Sequence, residues 1–327
     1  MRYVTTQHRR LMSLIVFCSL WSSSVHAAAS CELIDSFQDF MALSERSAAS
    51  SETRQIEMLN LEYFHKYPDL YVDGVIMAPG PTLDAKALVA MREARRRPDW
   101  HDLDQALGRT ASAFSNRFSA KFPDFRCDFP IYVTATFGVL DGAGRIVAGR
   151  PSMVIGVDTF SAIESTAQLP VFFAHELFHR YHYQAAGFSD DLSEKDLVWR
   201  SLWAEGLATY VSVKLNPSNP LADALLLPRD LEARTRPLLS QMAAQLIVAL
   251  DHVDSRVFAK FFEFGDRGAE SAGWPSRAGY YIGYLVAEDL GRRHSLTELA
   301  HLKGPKLRWE IGEALEHFVS RPPQIAD

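Results

Sequence analysis

The sequence predicts an α+β protein, mostly helical, with a small sheet that is at least partly antiparallel. Three observations predict it. Apolar residues recur at helical spacing through residues 32–120. A β-branched and aromatic stretch then occupies residues 129–158. After Pro170 the helical pattern returns and holds to Phe318. The 327 residues are 47% hydrophobic and 23% charged, the composition of a folded globular chain. A net charge of −6 and the lack of a basic stripe argue against nucleic acid as a partner.

The elements follow in order. Arg2, Arg9 and Arg10 precede a short apolar run, Leu11 to Trp21, and then a small-residue stretch, Ser22 to Ser30. That order predicts a secretory signal peptide over 1–29, with the mature chain starting between Ala28 and Cys31. The run is too short to span a bilayer comfortably, so a membrane anchor is the weaker reading. Arg9-Arg10 fits a twin-arginine export signal less well than the general route. Residues 30–124 form an N-terminal helical region. Its candidate helices run through Leu33-Ile34, Phe37 and Phe40-Met41, through Ile56 to Phe64, through Ala85 to Arg97 and through Leu103 to Phe118.

Ile131 to Phe137 reads as a strand, Asp141-Gly142-Ala143-Gly144 as a turn, and Arg145 to Val147 and Ser152 to Val157 as further strands. Pro170 suits a first helical position, and Val171 to Gln184 is the first helix of the second half. Gly187 to Asp196 is polar and loop-like. Leu197 to Val213, Leu231 to Phe264 (one helix or two), Arg277 to Leu290 and Lys306 to Phe318 complete the helices. Leu238 to Leu250 is apolar but carries Ser240, Gln241 and Gln245, which predicts a core helix and no membrane span in the mature chain.

Cys18 leaves with the signal. Cys31 and Cys127 remain, an even number that suits an oxidising compartment and a disulfide between them. Free thiols, or a lipid-attachment role for Cys31, are the alternatives. The favoured location is therefore periplasmic or secreted.

The chemistry rests on His175-Glu176-Leu177-Phe178-His179. Side chains four residues apart leave one helical face, so both imidazoles can meet one Zn²⁺ per chain. Glu176, beside the first ligand, can take a proton from water acidified by the metal. Phe172, Phe173, Leu177 and Phe178 predict a buried helix, in which two histidines and a glutamate need a compensating partner. Tetrahedral zinc needs a third protein ligand and keeps one place open. The metzincin pattern would want Gly at 182 and His at 185. The sequence has His182 and Ala185.

Trp203-Ala204-Glu205-Gly206-Leu207-Ala208-Thr209-Tyr210 instead resembles the second motif of the gluzincins, a Glu followed by Gly and then Ala on the next helix. With Phe173 to Arg180 and Gly279-Tyr280-Tyr281-Ile282-Gly283-Tyr284, the sequence over about 125–320 resembles a group of predicted bacterial zinc-dependent proteases. The resemblance implies a zincin-like catalytic domain over 125–327, with sheet 129–158, active-site helices 170–213 and a helical lobe 220–321. It implies zinc on His175, His179 and Glu205, with Glu176 as general base. It also implies an oxyanion donor late in the chain, for which Tyr280 is the first candidate, followed by Tyr281 and Tyr284.

Arg277, one turn before Tyr280, can point into the same site. Gly279 and Gly283 would let another backbone approach closely. His182 and Thr209 are candidates for second contacts around the ligands, His182 alternatively as a fourth ligand or a substrate contact. By analogy with zincins, the strand Met153 to Val157 would pair with an extended substrate. The expected function is that of an exported metallopeptidase acting on peptide or protein substrates. A zinc amidase acting on cell-wall peptides and a non-catalytic zinc-binding protein are the rivals.

Overall fold

The sheet holds four strands of mixed direction. They are β1 (Glu32–Asp35), β2 (Pro130–Thr134), β3 (Gly142–Val147) and β4 (Arg150–Gly156). Their spatial order is β1-β2-β4-β3. The β1–β2 and β2–β4 pairs are parallel, and β3–β4 is antiparallel. The computed structural model describes residues 31–159, 166–187, 197–226, 228–263 and 273–320. The predicted signal peptide with Cys18, the linker after Gly187 and the end of the 231–264 segment lie outside those residues.

Two readings of this region need correction. Leu33 and Ile34 belong to a strand, in register with Ile131 and Tyr132. The pairing partner lies about a hundred residues away, so nothing local announces it. Gly142 and Gly144 are not a turn but part of β3. Gly142 is a glycine because the strand there lies hard against a helix: a Cβ on it would come within 2.7 Å of the Phe172 ring. The real turn precedes them. Phe137 and Gly138 take positive φ, and the Asp158 carboxylate accepts from the Thr136 and Phe137 amides at 2.7 and 2.6 Å. Ala148 and Gly149, at φ 49° and 75°, then close the β3–β4 hairpin, the conformation a two-residue hairpin loop demands.

Helices surround the sheet. In the first part of the chain these are α1 (Phe37–Arg46), α2 (Glu52–Met58), α3 (Pro81–Ala94) and α4 (Asp99–Lys121). A π-helical turn, Leu59–Phe64, continues α2. The second part holds α5 (Leu169–Ala186), α6 (Val198–Leu215), α7 (Leu221–Leu225) and α8 (Leu231–Thr235). It ends with α9 (Leu239–Ala249), α10 (Ser255–Phe262), α11 (Ala278–Leu290), α12 (Leu296–His301) and α13 (Gly304–Ser320). The predicted helical stretch from Leu231 is broken into three. Pro237 interrupts it with a 3₁₀ turn, and Asp254 restarts it by capping the Arg256 and Val257 amides.

One apolar cluster runs from Phe37 through Phe118 and Phe178 to Leu246 and Ile311. The N-terminal helices thus share a core with the sheet and the later helices. Cys31 and Cys127 are disulfide-bonded, with Cα atoms 5.0 Å apart. The bond ties the start of β1 to the approach to β2 and fits an oxidising compartment. Among the described residues, no helix is long and apolar enough to cross a membrane.

Candidate metal centre

Three helices build the site. α5 carries His175 and His179 one turn apart, with Pro170 in its first turn and Gly187 closing it at φ 68°. α6 carries Glu205, and α11 carries Tyr280 one turn after Arg277. Gly206 follows Glu205, and Gly283 lies one turn past Tyr280. A Cβ on either glycine would overlap the backbone of the other helix. α6 and α11 therefore touch main chain to main chain, which brings Glu205 and Tyr280 to one wall. Gly279 leaves room for the Phe262 ring and the Phe261 carbonyl where α11 packs on α10.

The three donor atoms converge. His175 Nε2 lies 3.0 Å from His179 Nε2. Glu205 Oε2 lies 3.2 Å from His175 Nε2 and 3.3 Å from His179 Nε2. A buried group of two imidazoles and a carboxylate so arranged can hold one metal ion. The remaining ring atoms, Nδ1 of both histidines, have no hydrogen-bond partner among the described residues.

Burial sets the electrostatics. It pulls His175 down to about 4, against its hydrogen bond to the Glu205 carboxylate. Burial opposes ionisation of Glu205 too, yet His179 and His175 hold that carboxyl well below its ordinary range. Glu176 is pushed up to about 7, first by burial, with His179 pulling it down and the Asp141 and Glu205 charges raising it. Its carboxyl carbon would lie 3.3 Å from a Cβ on Gly142, so β3 covers the carboxyl closely.

Tyr280 stacks on His175 at 6.1 Å and 15°, and the Arg277 guanidinium lies 4.0 Å from the Tyr280 ring centre. Arg277 has a left-handed backbone, φ 60° and ψ 20°, and Leu226 also takes a positive φ, 64° with ψ −97°. Both line the same cavity, and such a conformation costs a non-glycine residue on the order of 1–2 kcal/mol.

The other predicted residues are placed elsewhere. His182 is fully buried, stacks on Phe178 at 5.8 Å and belongs neither to the donor group nor to the cavity wall. The Thr209 hydroxyl donates to the Glu205 carbonyl of its own helix at 2.8 Å. Tyr281 is buried against Tyr284 at 6.3 Å, and Tyr284 donates to Glu288 at 3.0 Å. Neither lines the cavity, whereas Tyr280 and Arg277 do.

The cavity, about 190 Å³, is also lined by residues that the sequence reading passed over: Asp141, Arg145, Arg180 and Tyr183. Tyr183 lies one turn beyond His179 on α5, its ring 5.9 Å away. The i,i+4 spacing that selects the histidines would have found it. Asp141 sits in the segment that reads as a turn, and Arg145, which reads as a strand residue, carries no sequence signal for the cavity. The chain matches no protein-family model, no curated protein and no solved structure.

Proposed function

We propose that this protein is an exported zinc-dependent metallopeptidase of the gluzincin type on a zincin-like scaffold, with zinc on His175, His179 and Glu205. The supporting observation is the donor triangle, whose edges are 3.0, 3.2 and 3.3 Å. Tetrahedral zinc with bonds of about 2.0–2.1 Å separates neighbouring donors by about 3.3–3.4 Å. The triangle needs little adjustment to accept the ion, and the donor types are those zinc prefers. When bound, zinc supplies Lewis acidity, lowering the pKa of water and polarising a carbonyl.

The chain's own residues complete the chemistry. Glu176, with its carboxyl raised to about 7, accepts a proton from the attacking water and returns it to the leaving amine. Burial and the Glu205 charge keep the Tyr280 phenol protonated, so it can donate to the oxyanion that forms at the peptide carbonyl. Arg277 adds positive charge behind that phenol.

Metal analysis of the purified protein tests the reading. About one zinc per chain is expected for the wild type and for Glu176→Gln, and a large loss for Glu205→Ala. Turnover should vanish in Glu176→Gln. A panel of casein, short peptides and cell-wall fragments separates peptidase from amidase action. Full activity in Glu176→Gln, or zinc bound with no hydrolysis of any substrate, would overturn the enzymatic assignment.

A further inference from the structure

β3 is the edge strand of the sheet, and its residues Gly142 to Arg145 line the cavity. Gly156 donates to the Asp141 carbonyl at 2.8 Å, which makes 141·156 a hydrogen-bonded pair. By alternation, the main-chain groups of Gly142 and Gly144 point away from β4 to the free edge. Two of those groups are already taken by side chains. Asp141 accepts from the Gly142 amide at 2.8 Å, and Arg145 Nη1 donates to the Gly144 carbonyl at 2.9 Å. Between the two caps lie the Gly142 carbonyl and the Gly144 amide. An edge closed in this way does not accept a long strand.

The pair between the caps matches one residue of an extended peptide running parallel to β3. In parallel pairing, a single residue donates to the carbonyl of one partner residue and accepts from the amide two positions further on. The direction then follows. The N-terminal side of that residue lies by Gly142, against which Glu176 is packed, and its C-terminal side points past Gly144. Two guanidinium groups stand at that end. Arg145 is fixed by donation to the Val75 carbonyl at 3.0 Å. Arg180 is buried over the Phe129 ring at 5.0 Å, with Nη1 3.8 Å from where a Cβ on Gly144 would be. Gly142 and Gly144 are separated by roughly 6–7 Å of strand, about the reach from a scissile bond across one residue to its carboxylate. Paired guanidinium groups suit a carboxylate.

We infer that the cleft takes the C-terminal end of a peptide, with Arg145 and Arg180 receiving the terminal carboxylate and Glu176 facing the last peptide bond. This rests on the metallopeptidase reading above, and it makes the enzyme a carboxypeptidase.

The test uses the full mature chain, zinc-loaded, with three matched peptides: one with a free C-terminus, its C-terminal amide, and an amide with a glutamate as the last residue. A fourth substrate is long, internally quenched and blocked at both ends. The free acid should lose its last residue, and amidation should lower kcat/KM by about 10–100-fold, the loss of a charge-assisted contact. Arg145→Gln should raise KM for the free acid about tenfold or more and shrink the free-acid preference, the ratio of kcat/KM for acid over amide, by about the same factor, with Arg180→Lys as the milder second variant. Cleavage of the doubly blocked substrate as fast as the free acid overturns the inference. So does full rescue of the amide by its glutamate side chain, which would assign the arginines to an acidic side chain. If no peptide is hydrolysed, the metallopeptidase reading fails. Calorimetric binding of the free acid and the amide to Glu176→Gln still decides on the carboxylate pocket, and equal affinities overturn it.

Discussion

At the scale of the residue, the site is a contest between burial and neighbouring charge. Tyr280 alone of the three late tyrosines lines the cavity. Tyr280→Phe removes one donor and keeps the ring that stacks on His175, so kcat should fall by about tenfold or more with zinc content unchanged. Unchanged kcat would remove the oxyanion role. Asp104, on α4 and outside both the donor group and the cavity wall, shows the same contest. Burial first, then the nearby Asp35 carboxylate, push it up to about 7, against the pull of Gln38. The folded protein then holds a proton that the unfolded chain releases near pH 4, so stability falls as pH rises from about 4 to 7. Asp104→Asn removes that penalty. It should be close to neutral at pH 4 and stabilise at pH 8 by roughly 1–3 kcal/mol, read from urea midpoints at the two pH values.

At the scale of the element, the histidine helix was legible because its signals are local. The i,i+4 histidines, the apolar face and Pro170 all lie within α5. Glu205 was legible as a motif, but its distance from the histidines was not. That distance depends on Gly206 and Gly283, which matter only where α6 meets α11. β1 was read as helix and the start of β3 as a turn for the same reason: each owes its shape to a partner distant in sequence. The helix crossing is open to test. Gly283→Ala forces its new methyl onto the Leu202 carbonyl and the Gly206 backbone. It should destabilise by about 1–3 kcal/mol, as overpacking does, and weaken zinc binding by moving Glu205 from the histidines. Thermal unfolding with and without a chelator separates the two effects. A variant with native zinc affinity and stability would mean that α6 and α11 can separate without cost to the site.

At the scale of the whole molecule, β1 is a four-residue strand at the margin of the sheet, held by pairing with β2 and by the Cys31–Cys127 bond. Its own apolar contribution is small, since Leu33 is 39% exposed. Such a strand would fray readily without a tether. The bond closes a loop across 96 positions. Its entropic effect on the unfolded chain is worth roughly 4–5 kcal/mol in the chain-entropy model, and measured values commonly fall to about 2–4. That loop encloses α1 to α4, whose Phe37, Phe40, Phe114 and Phe118 belong to the core shared with α5. Loosening β1 therefore reaches the layer beneath the histidine helix α5 before it reaches the His175–His179–Glu205 group. A Cys31→Ser/Cys127→Ser double variant should lose about 2–4 kcal/mol of stability by denaturant unfolding and become insensitive to reductant. Bound zinc should remain near one per chain below the unfolding transition, because His175, His179 and Glu205 sit on α5 and α6, outside the loop. Loss of zinc before global unfolding in that variant would show that the N-terminal helices hold the site together directly.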